Sequence, residues 1–212
     1  TKMGFLFDKT LFPFNTPLNL LGFGGLTLWG RIRTAIGAAY IAKFCNDPKG
    51  LDKIPVSEWL EKIFGAEVAV HFEEAYHWSA RGLRDRLRAL WAAFVIETPS
   101  GRIYHVGDTG FHDGKIFPAA RDKHGRIKLA ILPIGAYEPR WFMAEQHMNP
   151  DEAVRALVAL GAERAVAHHW GTFQLTNEAV TRPPEDLKKA LATHKVDEKK
   201  FTVLRPGEVL NA

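Results

Sequence analysis

From about residue 66 onward, the chain alternates short apolar segments with amphipathic ones, and this alternation restricts the fold more than any other feature. Ala92–Thr98 and Arg102–Val106 flank Pro99-Ser100-Gly101, which predicts a β-hairpin. Ile127–Ile134 is a nearly continuous apolar run, the pattern of a strand buried on both faces. Further short strands are predicted at Ala165–Ala167 and Phe201–Leu204.

Helices are predicted between these strands. Asn149-Pro150-Asp151-Glu152 indicates a helix start, because Asn can cap the first turn, Pro fits its first position and acids favour its positive end. This helix is expected to end at Gly161, and another is predicted over Pro184–His194. Strands alternating with helices of this length predict an α/β fold with helices layered on a sheet.

The first 65 residues follow a different pattern, without strand alternation. Leu28–Phe44 places apolar residues three and four apart, which predicts a helix. A second helix is predicted from an N-cap at Ser57 to a stop at Gly65. The sequence therefore predicts a mainly helical segment over residues 1–65 and an α/β domain over residues 66–212.

Charge and cysteine content argue against several functions. Lys and Arg number 28 against 24 Asp and Glu, a net charge of +4, and this small, dispersed excess argues against a nucleic-acid partner. The single Cys45 excludes an internal disulfide framework and a cysteine-based zinc site. Thr10–Gly30 is uncharged, but its prolines and glycines argue against a transmembrane span. Because no signal-peptide pattern is seen, we expect a cytoplasmic location.

Three polar residues follow predicted strands: His77, Asp108 and His169. In layered α/β folds, ligands and metals collect at strand ends, and two imidazoles with a carboxylate form a suitable ligand set for zinc. Each residue also has an ordinary interpretation. A single histidine can be a surface or core residue, Asp108 can cap a turn before Thr109-Gly110, and His147 can simply precede a helix.

Several uncommon strings containing Trp and His resemble those of metallo-β-lactamase-fold hydrolases related to N-acylphosphatidylethanolamine-hydrolysing phospholipase D. They occur in that family's order between residues 67 and 210: His77-Trp78-Ser79-Ala80-Arg81-Gly82, Leu90-Trp91-Ala92-Ala93-Phe94, Tyr104-His105-Val106-Gly107-Asp108-Thr109-Gly110, Leu132-Pro133-Ile134-Gly135-Ala136-Tyr137-Glu138-Pro139-Arg140-Trp141-Phe142-Met143 and His169-Trp170-Gly171-Thr172-Phe173.

The resemblance implies the C-terminal half of an αββα sandwich with two zinc ions. By the same resemblance, His77 would bind one metal, His169 the other, and Asp108 would bridge them. His147 would lie near the substrate phosphate or the leaving group. The pocket rim would be shaped by Tyr137, Glu138 and Arg140. The implied reaction is hydrolysis of a phosphodiester or related ester, with an N-acylated phospholipid as the type substrate and peripheral contact with a membrane.

The family's upstream His-x-His-x-Asp-His motif is absent from this sequence, since no histidine precedes His71 and no two histidines stand two residues apart. Each metal would keep two protein ligands, one of them shared, whereas a catalytic zinc ordinarily has at least three. We therefore expect weak zinc occupancy and an impaired hydrolase. The incomplete sheet would need a partner chain or a second copy to cover it.

Residues 1–65 resemble a cap segment of flavin-dependent amine oxidase and protoporphyrinogen oxidase-like proteins, so the chain has a truncated or chimeric pattern. The strings concerned are Gly4-Phe5-Leu6-Phe7, Pro13-Phe14-Asn15-Thr16-Pro17-Leu18, Leu28-Trp29-Gly30-Arg31-Ile32-Arg33 and Leu51-Asp52-Lys53-Ile54-Pro55-Val56-Ser57-Glu58-Trp59-Leu60. Gly22–Thr27 lacks the last glycine of a dinucleotide-binding loop, so no flavin or nicotinamide is expected. Two alternatives to a hydrolase stay open: a non-catalytic lipid- or protein-binding module, and a fragment of a flavin-dependent oxidoreductase.

Overall fold

A computed structural model describes residues 4–7, 10–13, 69–80, 84, 86–88, 91–205 and 207–210. The chain divides into two compact units, Thr1–Val70 and His71–Ala212. In the first unit, β1 (Gly4–Phe7) and β2 (Thr10–Pro13) pair as an antiparallel hairpin. The sequence pattern predicts no strand here, because the apolar residues of these segments do not alternate with polar ones. The helices predicted at Leu28–Phe44 and Ser57–Gly65 lie outside the described residues.

The second unit is built on a six-stranded sheet whose strands lie in chain order. They are β3 (Ala69–Glu74), β4 (Ala92–Thr98), β5 (Gly101–His105), β6 (Leu129–Pro133), β7 (Arg164–His168) and β8 (Phe201–Thr202). β4 and β5 form the predicted hairpin, and β5, β6, β7 and β8 are parallel. The predicted strands from β4 to β8 are confirmed.

Four α-helices in the described residues accompany this sheet, α1 (Ile116–His124), α2 (Arg140–Met143), α3 (Pro150–Leu160) and α4 (Arg182–Thr193), and a 3-10 turn at Glu198–Lys200 precedes β8. α3 begins and ends as predicted. The Asn149 side chain accepts a hydrogen bond from the Glu152 amide, the Glu152 carboxylate accepts one from the Asn149 amide, and Gly161 ends the helix in a left-handed conformation. The sequence gives no start signal for α1, because its N-cap residue is Lys115, which makes no side-chain capping bond.

The core lies on one face of the sheet. Alternate strand residues, among them Val95, Tyr104 and Leu132, are buried together with Phe117 of α1 and Val154 of α3. On the opposite face, the apolar side chains of β4 to β7 are half-buried; they are Phe94, Ile96, Ile103, Ile131 and Val166. Helices on one face of a mixed sheet agree with half of an αββα sandwich, and the predicted α/β fold class is confirmed.

The parallel strands decide where functional groups gather. β5, β6 and β7 point their carboxyl ends to the same edge of the sheet. The segments that follow these ends carry Asp108, Gly135 and His169. Side chains far apart in sequence are therefore brought to one edge, as expected for open α/β sheets.

Candidate metal centre

Four of the side chains singled out in the sequence meet at this edge: His77, Asp108, His147 and His169. His169 Nε2 lies 3.4 Å from Asp108 Oδ1. The ring of His147 lies 5.1 Å from that of His77 and 5.2 Å from that of His169, measured between centroids. Three imidazoles and a carboxylate thus surround one small region, and imidazole nitrogen and carboxylate oxygen are ligands that zinc accepts.

His77 is oriented by its neighbours. Its Nδ1 lies 2.8 Å from the Trp78 carbonyl oxygen, so the neutral ring donates its proton there and keeps the lone pair on Nε2. The ring stacks on Trp91 at 4.3 Å between centroids. The Trp91 indole in turn donates to the carbonyl of Asp108, at 2.8 Å. Trp91 therefore positions two of the candidate ligands at once.

A further link joins the segment before His77 to the segment after β5. The Tyr76 amide donates to Thr109 Oγ1 at 2.8 Å, and the Gly110 amide donates to the Tyr76 carbonyl at 2.9 Å. Thr109 is fully buried, so these bonds are shielded from water. The separation of His77 and Asp108 is consequently set by backbone contacts rather than by flexible side chains.

His147 is a buried imidazole without a charge at neutral pH. Burial, with a smaller contribution from His169, lowers its pKa to about 4. Its Nδ1 is buried and has no hydrogen-bond partner among the described residues. Its carbonyl accepts a hydrogen bond from Arg140 Nη1 at 3.0 Å. An uncharged ring with an unused nitrogen can bind a metal or a substrate atom.

His169 has a conformation that most residues avoid. Its φ is +58°, in the left-handed region, and within the described part of the chain its buried Nδ1 has no partner. The backbone of Gly135 passes so close that a Cβ there would lie 2.0 Å from the His169 carbonyl oxygen. Unfavourable backbone conformations of this kind often occur at functional sites, where the surrounding packing maintains them.

The residues predicted to shape the substrate rim point largely into the protein. Tyr137 is buried and its hydroxyl donates to Asp186 Oδ2 at 2.8 Å; burial and this bond raise the pKa of the phenol. Arg140 donates both Nη2 protons to the Glu152 carboxylate, at 2.8 and 2.9 Å. Glu138 is half-buried, and its Oε2 accepts the Arg140 amide proton at 3.2 Å. Their roles in substrate binding stay predictions.

The structure also brings together two histidines that were not predicted as site residues. The rings of His105 and His168 lie 5.2 Å apart, at the ends of β5 and β7. Burial, followed by His105, lowers the pKa of His168 to about 4. The Gly107 amide donates to His105 Nδ1 at 3.1 Å. The only signal in the sequence was that both histidines lie within three residues of Asp108 or His169.

A second group lies elsewhere in the unit. His71, Glu97 and His124 each offer a donor atom, and these atoms lie within 4.8 Å of one another. They come from β3, β4 and the last turn of α1, so no spacing in the sequence connects them.

The donor set at the first centre fits zinc in kind. His77, Asp108 and His169 supply imidazole nitrogen and carboxylate oxygen, and the unused Nδ1 of His169 is an observation independent of sequence pattern. In the described part of the chain, these three residues and His147 form the candidate centre.

Comparison with known proteins shows the family of this chain. A family model for the beta-lactamase superfamily domain matches residues 39–170. The chain belongs to the metallo-β-lactamase superfamily. The match begins at residue 39, within the segment that the sequence analysis placed before the α/β domain.

The chain spans about half or less of the length of two relatives in the metallo-β-lactamase superfamily. The N-acyl-phosphatidylethanolamine-hydrolyzing phospholipase D 1 of Caenorhabditis elegans is 37% identical over 150 residues, which cover 70% of this chain and 42% of that protein. A metal-dependent hydrolase of Pyrobaculum neutrophilum is 34% identical over 147 residues, which cover 69% of this chain and 54% of that protein. The resemblance noted in the sequence is therefore confirmed, over about half of such a protein or less.

Among solved structures, the isothiocyanate hydrolase from Delia radicum gut bacteria has a TM-score of 0.53 at 18% identity, covering 69% of this chain and 54% of that one. At this identity the likeness concerns the fold alone. Within the part of the chain that the structure describes, no helix is both long and apolar enough to span a membrane.

Proposed function

We propose that the second unit carries part of the active site of a zinc-dependent hydrolase that cleaves phosphodiester or related ester bonds in phospholipids. The observation that carries this proposal is the convergence of His77, Asp108, His147 and His169 at one sheet edge. The names of the nematode and archaeal relatives support the reaction class and the metal requirement.

In this proposal, His77, Asp108 and His169 would hold the zinc ions. Bound zinc would supply an activated water and neutralise charge on the phosphoryl oxygen. The protein side chains would bind and orient the substrate. With a pKa near 4, His147 is uncharged at neutral pH and is a poor proton donor there, so its role is to hydrogen-bond the substrate phosphate and orient it. Arg140 acts through His147, because it holds the backbone carbonyl of that residue.

Exposed aromatic residues support a lipid substrate. Trp141 is 84% exposed and Phe142 58% exposed, both directly after Arg140 in α2, while Phe173 is 74% exposed just after His169. The Asn177 amide donates to the Glu138 carbonyl at 3.3 Å, so the two segments are neighbours. Exposed aromatic groups beside a polar site are typical of surfaces that enter the membrane interface.

The same surface supports a second candidate, a non-catalytic lipid-binding module. The chain lacks the His-x-His-x-Asp-His motif, and the three retained ligands leave each zinc with fewer than three protein donors. We propose that the isolated chain is impaired and that a partner chain or a second copy completes the centre. The flavoenzyme alternative rests on residues 1–65, most of which lie outside the described residues.

Elemental analysis of the dialysed full chain tests the hydrolase proposal, followed by assays on a bis-aryl phosphodiester and on N-acylated phospholipid vesicles. We expect His169→Ala to lower both the zinc content and any hydrolysis. His194→Ala is the matched control, because His194 pairs with Asp151 at 2.7 Å on the surface. Equal zinc content in His169→Ala and in the control would overturn the metal assignment. Vesicle binding without hydrolysis would favour the lipid-binding module, and Trp141→Ser should then weaken that binding.

A further inference from the structure

The cluster of His71, Glu97 and His124 lies away from the centre described above. Glu97 pairs with Arg102 at the beginning of β5, whereas Asp108 follows the end of that strand. The extended backbone from Arg102 to Val106 alone spans roughly 13 Å. The cluster is therefore at the other end of the sheet, and its residues cannot share a ligand with Asp108.

The spacing of the donor atoms in this cluster fits a metal better than a hydrogen bond. His71 Nε2 lies 3.6 Å from Glu97 Oε2, too far for a hydrogen bond. Two ligands that each lie about 2.0–2.1 Å from a tetrahedral zinc are separated by roughly 3.3 Å. His71 Nε2 is also buried without a hydrogen-bond partner among the described residues. A buried nitrogen and a carboxylate oxygen at this separation can both be ligands of one metal ion.

The surrounding residues engage Glu97 through Oε1 and His124 through Nε2, so Glu97 Oε2 and His124 Nδ1 would be the atoms that face a metal. Arg102 Nε donates to the other oxygen of Glu97, Oε1, at 2.5 Å, which leaves Oε2 toward His71. The His124 imidazole is almost fully buried, and its Nε2 lies 2.6 Å from Glu73 Oε1. A carboxylate bonded to one ring nitrogen is the arrangement that orients metal-binding histidines. Lys123, 2.6 Å from Glu73, and Arg102 balance the two carboxylates.

We propose that His71, Glu97 and His124 form a binding site for a divalent transition-metal ion such as zinc, separate from the centre at Asp108. Two imidazoles and one carboxylate provide three protein ligands, and the partial exposure of His71 and Glu97 leaves a fourth position for water. Because the ligands come from β3, β4 and α1, a bound ion would fasten the edge strand of the sheet to its neighbour and to a helix. The site would thus stabilise the fold.

Metal titration of the full chain, stripped with a chelator and followed by cobalt absorption and zinc calorimetry, tests this site. His169→Ala serves as the background, since it weakens the other centre without touching this one. We expect that background to bind one ion per chain. His71→Ala within it should lose that binding, and Glu73→Gln should weaken it by about 10- to 100-fold. His194→Ala is the control, being another histidine paired with a carboxylate.

Thermal unfolding provides a second measurement that does not depend on activity. Zinc should raise the Tm of the His169→Ala protein and leave that of His169→Ala/His71→Ala unchanged. Glu97→Gln should behave like His71→Ala; both positions are about one-third exposed, so these variants are expected to fold. Unaltered stoichiometry and affinity in His71→Ala and Glu97→Gln would overturn the proposal. So would a His169→Ala protein that binds no metal, since the cluster is then only a set of ion pairs.

Discussion

Gly135 shows how one missing side chain sets the position of a candidate ligand. Any Cβ at this residue would lie 2.0 Å from the His169 carbonyl oxygen, and that atom belongs to the backbone, so it cannot move without moving His169. His169 is also in the left-handed region, with φ +58°. The absence of a methyl group at Gly135 therefore allows the chain to present the His169 ring toward Asp108.

Gly135→Ala is expected to lower the free energy of unfolding by about 1–3 kcal/mol, the usual effect of overpacking a tight contact. Urea denaturation of the metal-free protein measures this change. Gly107→Ala is the matched control: Gly107 has φ +70° but nothing within 4 Å of the added Cβ, so only the cost of about 1–2 kcal/mol for an L-residue in the left-handed region should appear. Equal losses in the two variants would mean that the contact with His169 is relieved by local movement.

At the scale of elements, the segment between β6 and α2 is held by one buried carboxylate. Glu178 Oε1 accepts hydrogen bonds from the amides of Ala136 and Tyr137, at 2.8 and 3.3 Å, and Oε2 accepts one from the Glu138 amide, at 3.0 Å. These bonds replace the secondary-structure bonds that this turn cannot make, as buried backbone amides require. The neighbouring Gly135 and Arg140 are placed by the same turn.

Glu178→Gln should destabilise this turn, because the amide NH₂ group would face backbone N–H donors and leave at least one of them unpaired. We expect a loss of about 1–3 kcal/mol in the free energy of unfolding and faster hydrogen exchange at residues 136–138. Glu145→Gln is the control, since the Glu145 side chain is 85% exposed and should change stability by less than about 0.5 kcal/mol. Unchanged exchange in Glu178→Gln would contradict this role for the carboxylate.

For the whole molecule, the buried histidines link stability to pH. The pKa values of His147 and His168 are both lowered to about 4, first of all by burial, whereas the unfolded chain protonates its histidines near pH 6.5. Between these values the unfolded state binds more protons, so stability is fully present above pH 6.5 and is lost as the pH falls toward 4. Each histidine would contribute up to about 3 kcal/mol.

This dependence can be measured by urea denaturation in the presence of EDTA from pH 7 to pH 4.5. The free energy of unfolding should decrease steadily below pH 6.5, and the slope should be roughly halved in His168→Leu, which removes one of the two titrating groups. The same slope in His168→Leu as in the unchanged protein would show that His168 does not titrate differently in the folded and unfolded states.

The local sequence determined those helix ends and turns that depend on residues close together in the chain. The capping box of Asn149 and Glu152, the stop at Gly161 and the β4–β5 hairpin are all short-range interactions, and the structure contains each of them. The strings around His77, Asp108 and His169 indicated the superfamily and the residue types of a zinc site. The absence of a His-x-His-x-Asp-His string is likewise a property of the given sequence.

Only the tertiary structure decided which side chains meet. His147 follows α2, yet packing places its ring beside those of His77 and His169 and lowers its pKa, which depends on burial and not on neighbours in sequence. The pairing of Arg140 with Glu152 depends in the same way on the packing of α2 against α3. The cluster of His71, Glu97 and His124 exists only because β3, β4 and α1 come together at one end of the sheet. Contacts between distant elements leave no pattern in the local sequence. The sequence therefore indicates which residues could bind a metal, but not which of them come together in the fold.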